Sequence, residues 1–296
     1  MRGLAEFIMR GRWQALAVAI LGSGSLLFGW ISAAAVALVT LRKGGVEGGW
    51  LVFWALLPAA VLTWITGDAG SLLLLAGTYG VALILRESVS LSLAVLATVP
   101  MAVASGVILV TLNEAFLQSL VTMFNEALGG LSQELEREGA GELAFRPLQV
   151  PQVAALLAAG NAVMTLLSVL LGRYWQAVLY NPGGFGREFR ALRLPRPMVL
   201  ALVLVAGLLW WFGPEWAVWA AVVVVPLTAV WFALLHAYAA RAGKGSTWLA
   251  LMYTVWIVLD PAKWLAVACV AVDAFMDIRA RWAASQGSDP KSGTGA

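Results

Sequence analysis

The feature that most restricts the fold is the basic segment, residues 181–196, which separates two long apolar stretches. It opens with Asn181, Pro182, Gly183 and Gly184. This string ends a helix because proline lacks an N–H and glycine tolerates positive φ. Four arginines then recur at every third residue: Arg187, Arg190, Arg193 and Arg196. A transmembrane helix, a turn and a short basic helix on the membrane surface fit this order, and the positive charge favours the cytoplasmic side.

Composition agrees with a membrane protein. The 296 residues are 61% hydrophobic and 12% charged, whereas a soluble domain is about 45–50% apolar and about 25% charged. The 15 tryptophans fit as well, because indole prefers the headgroup level of a bilayer. The single cysteine, Cys269, excludes an intramolecular disulfide and a multi-cysteine metal site.

Apolar segments recur throughout residues 1–286, which we expect to form one domain, followed by a disordered tail at 287–296. The predicted fold is an all-α, polytopic transmembrane bundle of about eight to ten membrane segments, some of them short or broken. Segment 13–41 is too long for one span of roughly 20 residues and is interrupted by Gly22-Ser23-Gly24-Ser25 and by Gly29. It therefore predicts two short helices in a hairpin, or one span plus a half-helix. The other predicted segments are 49–66, 71–85, 91–112, 152–180, 198–212, 216–240, 247–259 and 262–276.

Residues 113–150, between the fifth and sixth spans, follow a different pattern. Apolar residues recur at three- and four-residue intervals, and Glu126, Glu134, Glu136 and Glu138 accompany them, which predicts an amphipathic acidic helix. Anionic lipid repels such a helix, so the outer side of the membrane suits it. Most of the 19 Lys and Arg residues then fall on the inner side. We therefore expect a protein of the bacterial inner (plasma) membrane with both termini in the cytoplasm.

Polar residues within apolar segments are the candidate ligand-binding residues, because such groups normally face the bundle or a cavity. Asn161, near mid-membrane, suits either an interhelical hydrogen bond or a substrate contact. Arg173 either extends to lipid phosphate or pairs with Asp273 or Asp277. The two aspartates share one helix face, where a structural ion pair is favoured over a proton relay. The only histidine, His236, is predicted to be a packed neutral ring rather than a catalytic one.

Several catalytic signatures are absent from the sequence, among them HExxH, GxxxxGK[ST], GxSxG and any Cys/His cluster. The string Gly184-Phe-Gly186 lacks the strand and the third glycine of a dinucleotide site. We therefore predict a protein that is not an enzyme, with no catalytic residues, no metal and no cofactor. The expected partners are the lipid bilayer, a small organic solute and a membrane or cytoplasmic protein; nucleic acid is not expected.

Three strings carry a family resemblance. The first runs from Arg173-Tyr-Trp through NPGGF (181–185) to LRLP (192–195), the second is VDAFMDIRAR (272–281), and the third joins RGRWQAL (10–16) with LVTLRKG (38–44). In these strings the chain resembles the YybS-like family of uncharacterised bacterial multi-pass membrane proteins. That family is distantly similar to the S components of energy-coupling-factor transporters. The resemblance implies a helical membrane bundle that binds a small solute, and it transfers no catalytic or ligand-contacting residue.

The sequence thus supports two main functions. The first is a transport-type protein that binds a small organic solute between helices, with broken helices at 22–29 and 259–261 lining a cavity. The second is a membrane scaffold that recruits partners or anionic lipid through residues 187–196. A lipid-phosphate enzyme or flippase using Arg173 and Asp273 is a third, less favoured hypothesis. The candidate interaction residues are Asn181, Pro182, Gly183, Gly184, Phe185, Arg187, Arg190 and Arg193.

Overall fold

The computed structural model describes residues 2–138, 146–279 and 281–282, and within these ranges every regular element is a helix. The all-α prediction is thus confirmed for this part of the chain, while the predicted disordered tail lies outside the described residues. In chain order the helices are α1 (Arg2–Arg10), α2 (Arg12–Ser23), α3 (Gly29–Lys43), α4 (Gly45–Thr66), α5 (Gly70–Ser88), α6 (Leu91–Leu112), α7 (Glu114–Arg137), α8 (Val150–Tyr180), α9 (Gly184–Arg190), α10 (Arg196–Trp211), α11 (Pro214–Ala217), α12 (Ala220–Arg241), α13 (Ser246–Val258) and α14 (Asp260–Met276).

Five of these helices are long and apolar enough to cross a membrane: α4, α5, α6, α8 and α12. Helices α13 and α14 meet at a bend of 113° and make a sixth candidate if they are taken as one span. Helix α10 is apolar but shorter, and α2 and α3 have only 12 and 15 residues. At 1.5 Å per residue, such helices do not cross a hydrocarbon core of about 30 Å. Some of the eight to ten predicted segments are therefore too short to span.

Capping groups set the ends of the long helices. Helix α6 begins after Ser90, whose hydroxyl accepts a hydrogen bond from the Leu93 N–H, and its bounds agree with the predicted segment 91–112. Helix α8 begins with a reciprocal capping box between Gln149 and Gln152. Helix α4 ends at Gly67, which adopts a left-handed conformation.

Side-chain contacts bring several helix ends to one end of the bundle. Arg86 of α5 donates to the Leu41 carbonyl of α3 at 2.8 Å, and the Arg42 guanidinium lies 4.0 Å from the ring centroid of Tyr180 in α8. The basic segment follows directly, so we call this the arginine end. At the opposite end, the Asn113 side chain donates to the Gly67 carbonyl at 2.7 Å and joins the ends of α4 and α6.

Helix α3 is the centre of the N-terminal half, since all of its residues from Ser32 to Leu41 are buried. Helix α2 starts at the arginine end, where Arg12 lies 2.7 Å from Glu47 of α4, and α3 returns to that end. The Ser32 hydroxyl donates to the Ala19 carbonyl at 2.7 Å and ties the two helices together. The structure therefore has two short helices in a hairpin, which is the first of the two arrangements predicted for segment 13–41.

Two glycines allow neighbouring helices to approach α3 closely. A Cβ atom added at Gly48 of α4 would lie 2.0 Å from the Thr40 hydroxyl oxygen. One added at Gly172 of α8 would lie 2.9 Å from the Leu38 backbone nitrogen. Small residues at such crossings bring helix backbones together and strengthen their dispersion contacts. The position of α3 thus depends on glycine in both neighbours.

Helix α7 has the amphipathic character predicted for residues 113–150. Its buried residues are Leu117 and Val121, which pack in an apolar cluster with Val153 of α8. The Asn125 side chain fixes the start of the following helix by hydrogen bonds to both the N–H and the carbonyl of Leu148, at 2.8 and 3.0 Å. The side of the membrane on which α7 lies stays a prediction.

Candidate functional site

The first candidate site is a cavity of about 370 Å³ beside the connection between α2 and α3. We call it the tip cavity, because it lies at the tip of the short hairpin. Its walls come from that connection, the start of α5, and α6 and α8. Most of the wall is apolar, and its leucines include Leu26, Leu27, Leu73, Leu74, Leu156 and Leu157.

Three polar side chains line the tip cavity: Asp68, Ser71 and Asn161. Within the described ranges, neither the Ser71 hydroxyl nor the half-buried Asn161 amide makes a hydrogen bond. Of the two roles predicted for Asn161, an interhelical hydrogen bond is therefore not seen, and the amide faces a cavity. Asp68 was not among the predicted site residues, because its position between α4 and α5 reads as an ordinary turn.

The depth of the hairpin tip gives the cavity its significance. Helices α2 and α3 have 12 and 15 residues, so the tip lies about 18–22 Å from the arginine end, which is shorter than the roughly 30 Å core of a bilayer. Non-helical backbone at such a depth is tolerated only where it is buried in protein or lines a polar cavity. Gly22 allows the sharp return of the chain, since a Cβ there would lie 2.9 Å from the Ser32 Cβ. A helix break of this kind is typical of ligand sites in transporters.

Arg173 lies at the arginine end. One of its two predicted roles, an ion pair with Asp273 or Asp277, is not seen. Its Nη2 lies 2.7 Å from Oε2 of Glu188, which belongs to α9, and its Nη1 donates to Gln176 at 2.9 Å. The Glu188 oxygen is buried and makes no well-directed hydrogen bond within the described chain. These residues border a second cavity of about 400 Å³ that Arg86 also lines. The turn at 181–184 brings Glu188 back onto α8, which sequence spacing alone did not reveal.

Asp273 forms a buried ion pair with Arg279, which sequence reasoning did not include among the site residues. Oδ2 of Asp273 accepts hydrogen bonds from Nη2 and Nε of Arg279, at 2.7 and 3.0 Å. The two side chains are only 3% and 7% exposed. Nη1 of Arg279 also donates to the carbonyls of Arg190 and Leu192, at 3.0 and 2.8 Å. Burial lowers the pKa of Arg279 below its usual value despite the opposing effect of the bonded Asp273 carboxylate, but a guanidinium still stays protonated in proteins. The contact is therefore structural, and it holds the basic segment against the end of α14.

Other arginines of the basic segment are also bonded within the protein. Arg193 pairs with Asp277, and its carbonyl accepts from the Ser92 hydroxyl at 2.6 Å. Nε of Arg196 donates to the Ala274 carbonyl at 2.9 Å. Arg187 is exposed. A cavity of about 200 Å³ lies beside these contacts and is lined by Arg193, Asp273 and Asp277.

The other predicted residues of the basic segment form its turn and its first helix. Gly183 has φ +79°, which is accessible to glycine and precedes α9. Asn181 and Pro182 are exposed, and Gly184 is buried. Phe185 stacks on Phe189 with ring centroids 5.8 Å apart. The apolar face of this short helix is therefore turned toward the bundle rather than free.

His236 links the basic segment to α12 and α13. Its Nδ1 lies 2.8 Å from the Phe232 carbonyl, which assigns the proton to that nitrogen, and Nε2 then accepts from the Tyr253 hydroxyl at 3.0 Å. The Phe189 ring packs edge-on against the imidazole at 5.4 Å. The ring is packed against Phe189 and Tyr253, as predicted for His236.

The four predicted ligand-binding residues therefore do not form one site. Asn161 lines the tip cavity, whereas Arg173, Asp273 and Asp277 lie at the arginine end in separate ion pairs. No group of three or more His, Cys, Asp or Glu residues in the described part of the chain could hold a metal ion. No protein-family model matches this chain, and neither a curated protein nor a solved structure matches it.

Proposed function

We propose that this chain is a multi-pass membrane protein that binds a small organic solute in the tip cavity as part of a transport process. The tip cavity itself is the observation that carries the proposal. A volume of about 370 Å³ lies within the range of roughly 300–1,000 Å³ that is usual for small-molecule sites. An apolar wall with a few polar groups is likewise the usual composition of such sites.

The position of the cavity supports a transport-type role. The hairpin arms have 12 and 15 residues, so the tip stops short of the end of the bundle where Gly67 and Asn113 meet, and in the proposed bilayer the cavity lies between the tip and that end. Leu26 and Leu27 line the cavity and are 65% and 76% exposed, so the wall is open at the hairpin connection. A solute can enter there and reach Asn161 of α8. This arrangement agrees with the proposed similarity to YybS-like proteins and, more distantly, to solute-binding S components.

The orientation belongs to the same proposal. The arginine end faces the cytoplasm of a bacterial cell, because positive residues near membrane helices are retained on that side. Both termini are then cytoplasmic, the tip cavity opens nearer the outer side, and α7 lies outside. No catalytic step is assigned to any residue.

A scaffold function through residues 187–196 has less support. Arg193 and Arg196 already bond to Asp277 and the Ala274 carbonyl, and an arginine engaged in this way is less available to a partner. This alternative can use Arg187, which is exposed, and Arg190, which is half-buried, because neither guanidinium makes a hydrogen bond or an ion pair within the described residues.

The proposal is tested by filling the cavity. A Cβ added at Gly160, which lines the tip cavity, or at Gly207 in α10 would meet no atom within 4 Å, so Gly160→Met and Gly207→Met form a matched pair. The purified protein is screened in detergent against vitamins, nucleobases and other metabolites by thermal unfolding. A solute at 100 times its Kd should stabilise the protein by about 2.7 kcal/mol.

The expected result is a stabilising solute whose effect is lost in Gly160→Met and kept in Gly207→Met. A stabilising solute that binds both variants equally well would place the site elsewhere. A screen in which no solute stabilises the protein would contradict the proposal.

A further inference from the structure

The tip cavity has an unusual balance of charge for a polar site. Among the described residues that line the cavity, Asp68 is the only ionisable one, and no lysine, arginine or histidine accompanies it there. The other polar side chains are the neutral Ser71 and Asn161, apart from the indole of Trp30. The Trp30 N–H already donates to the Leu27 carbonyl at 3.0 Å. A solute in this cavity therefore meets one negative charge within a mostly apolar wall.

Hydrogen bonds hold Asp68 in place. Its Oδ1 accepts a hydrogen bond at 2.7 Å from the N–H of Gly70, the first residue of α5. Its own N–H donates to the Thr66 hydroxyl at 3.2 Å, and its carbonyl accepts from the Thr63 hydroxyl at 2.9 Å. The backbone and one carboxylate oxygen are thus fixed before any solute arrives. Because these groups are already ordered, the site loses less conformational entropy when a ligand binds.

The second carboxylate oxygen of Asp68, Oδ2, has no hydrogen bond or ion pair within the described residues. An ionised carboxylate in partly apolar surroundings is stabilised by a cation or by a strong N–H donor. The positive N-terminus of α5 gives part of this stabilisation but leaves Oδ2 unpaired. An anionic solute would place a second negative charge beside the first, which is unfavourable.

We propose that the solute of the tip cavity carries a protonated amine on an apolar body, with Asp68 as its counter-ion. This inference rests on the proposed function, because it assigns the class of solute to the same cavity. The ammonium group donates to Oδ2 of Asp68, the leucine wall covers the apolar body, and Asn161 and Ser71 bond a second polar group. Anionic solutes are excluded by the carboxylate.

Matched ligand series test this assignment. Each series keeps one apolar skeleton, such as phenylethyl, indolylethyl, cyclohexylethyl or hexyl, and ends in an amine, an alcohol or a carboxylate. Affinities are measured by thermal unfolding and by calorimetry in detergent at neutral pH. We expect amines to bind about 10- to 100-fold more tightly than the matching alcohols, as one charge-assisted hydrogen bond implies, and carboxylates not to bind.

The variant Asp68→Asn removes the charge and keeps an oxygen that can accept from the Gly70 N–H, so the turn is retained. It should abolish the preference for amines while leaving alcohol affinity within about twofold. Asp260→Asn is the matched control, because Asp260 also lies at a helix start but pairs with Lys263 on the surface.

The outcomes separate the two proposals. Suppose that alcohols or carboxylates bind as tightly as amines and that Gly160→Met abolishes their binding. The proposal of a positively charged solute is then overturned, while the proposed solute-binding function stands. If the amine preference survives in Asp68→Asn, Asp68 is not the counter-ion. If no member of any series and no metabolite binds, both proposals fail.

Discussion

Two arginine–aspartate pairs hold the basic segment to the end of α14, and they differ mainly in burial. The side chains of Asp273 and Arg279 are 3% and 7% exposed, whereas those of Asp277 and Arg193 are 45% and 40% exposed. Asp can be replaced by Asn in both pairs, at positions four residues apart, and this substitution hardly changes side-chain volume. The comparison therefore isolates the effect of burial.

Asp273→Asn leaves the Arg279 guanidinium buried without its carboxylate, although its bonds to two backbone carbonyls persist. Breaking a buried pair in this way costs about 3–5 kcal/mol. Asp277→Asn breaks a half-exposed pair that water screens, so its cost is about 0–1 kcal/mol. The two variants should differ by at least about 2 kcal/mol, or roughly 30-fold in the unfolding equilibrium.

The assay is reversible unfolding in mixed micelles, followed by tryptophan fluorescence at low and at high salt. Added salt should remove the small effect of Asp277→Asn and leave that of Asp273→Asn, because buried pairs are little screened. Removing both partners with Asp273→Asn and Arg279→Gln should cost less than the sum of the single losses. Equal losses for the two Asn variants, or a salt-sensitive loss for Asp273→Asn, would refute the reasoning.

Three further predictions concern packing and hydrogen bonds elsewhere. Gly172→Ala should lower the free energy of unfolding by about 1–3 kcal/mol because the added methyl group meets the α3 backbone, whereas Gly207→Ala, in open space, should be neutral or stabilising; similar melting temperatures for the two variants would contradict this. Tyr253→Phe removes the hydrogen bond to His236 and should cost about 0.6–1.5 kcal/mol in chemical unfolding, and an unchanged midpoint would show that the bond contributes nothing. Asn125→Ala removes two hydrogen bonds to the backbone of Leu148, just before α8. It should lower the free energy of unfolding by about 1–3 kcal/mol and speed proteolysis between α7 and α8, so an unchanged cleavage rate would count against the contact.

Local patterns in the sequence predicted the helices well. The bounds of α6 follow from an apolar run that a capping serine opens, and the break in segment 13–41 follows from its Gly and Ser residues. The preference for a structural pair at Asp273 agrees with the geometry as well. In the first two cases the deciding interactions lie within a few residues along the chain.

Partners across a chain reversal could not be predicted. Asp277 has φ +51°, a left-handed conformation that turns the chain so that Arg279 returns to Asp273, and helical spacing gave no sign of it. Glu188 reaches Arg173 only because the turn at 181–184 folds α9 back. Asp68 lines the tip cavity only because α5 packs against the hairpin, and the spacing of residues in the sequence does not reveal that packing. Apolar runs also do not reveal which of the predicted segments stop at mid-depth and which cross the bilayer.

The enclosure of α3 has a consequence for how the protein is made. From Ser32 to Leu41 this helix exposes no side chain, and much of its cover comes from α4, α5 and α8, all synthesised later. A nascent hairpin lacks those neighbours, and at 12 and 15 residues its two arms cannot settle across a bilayer unaided. Helix α8 must therefore be synthesised before α3 can be enclosed as it is in the native structure, so the hairpin becomes native only after the chain has been made through α8.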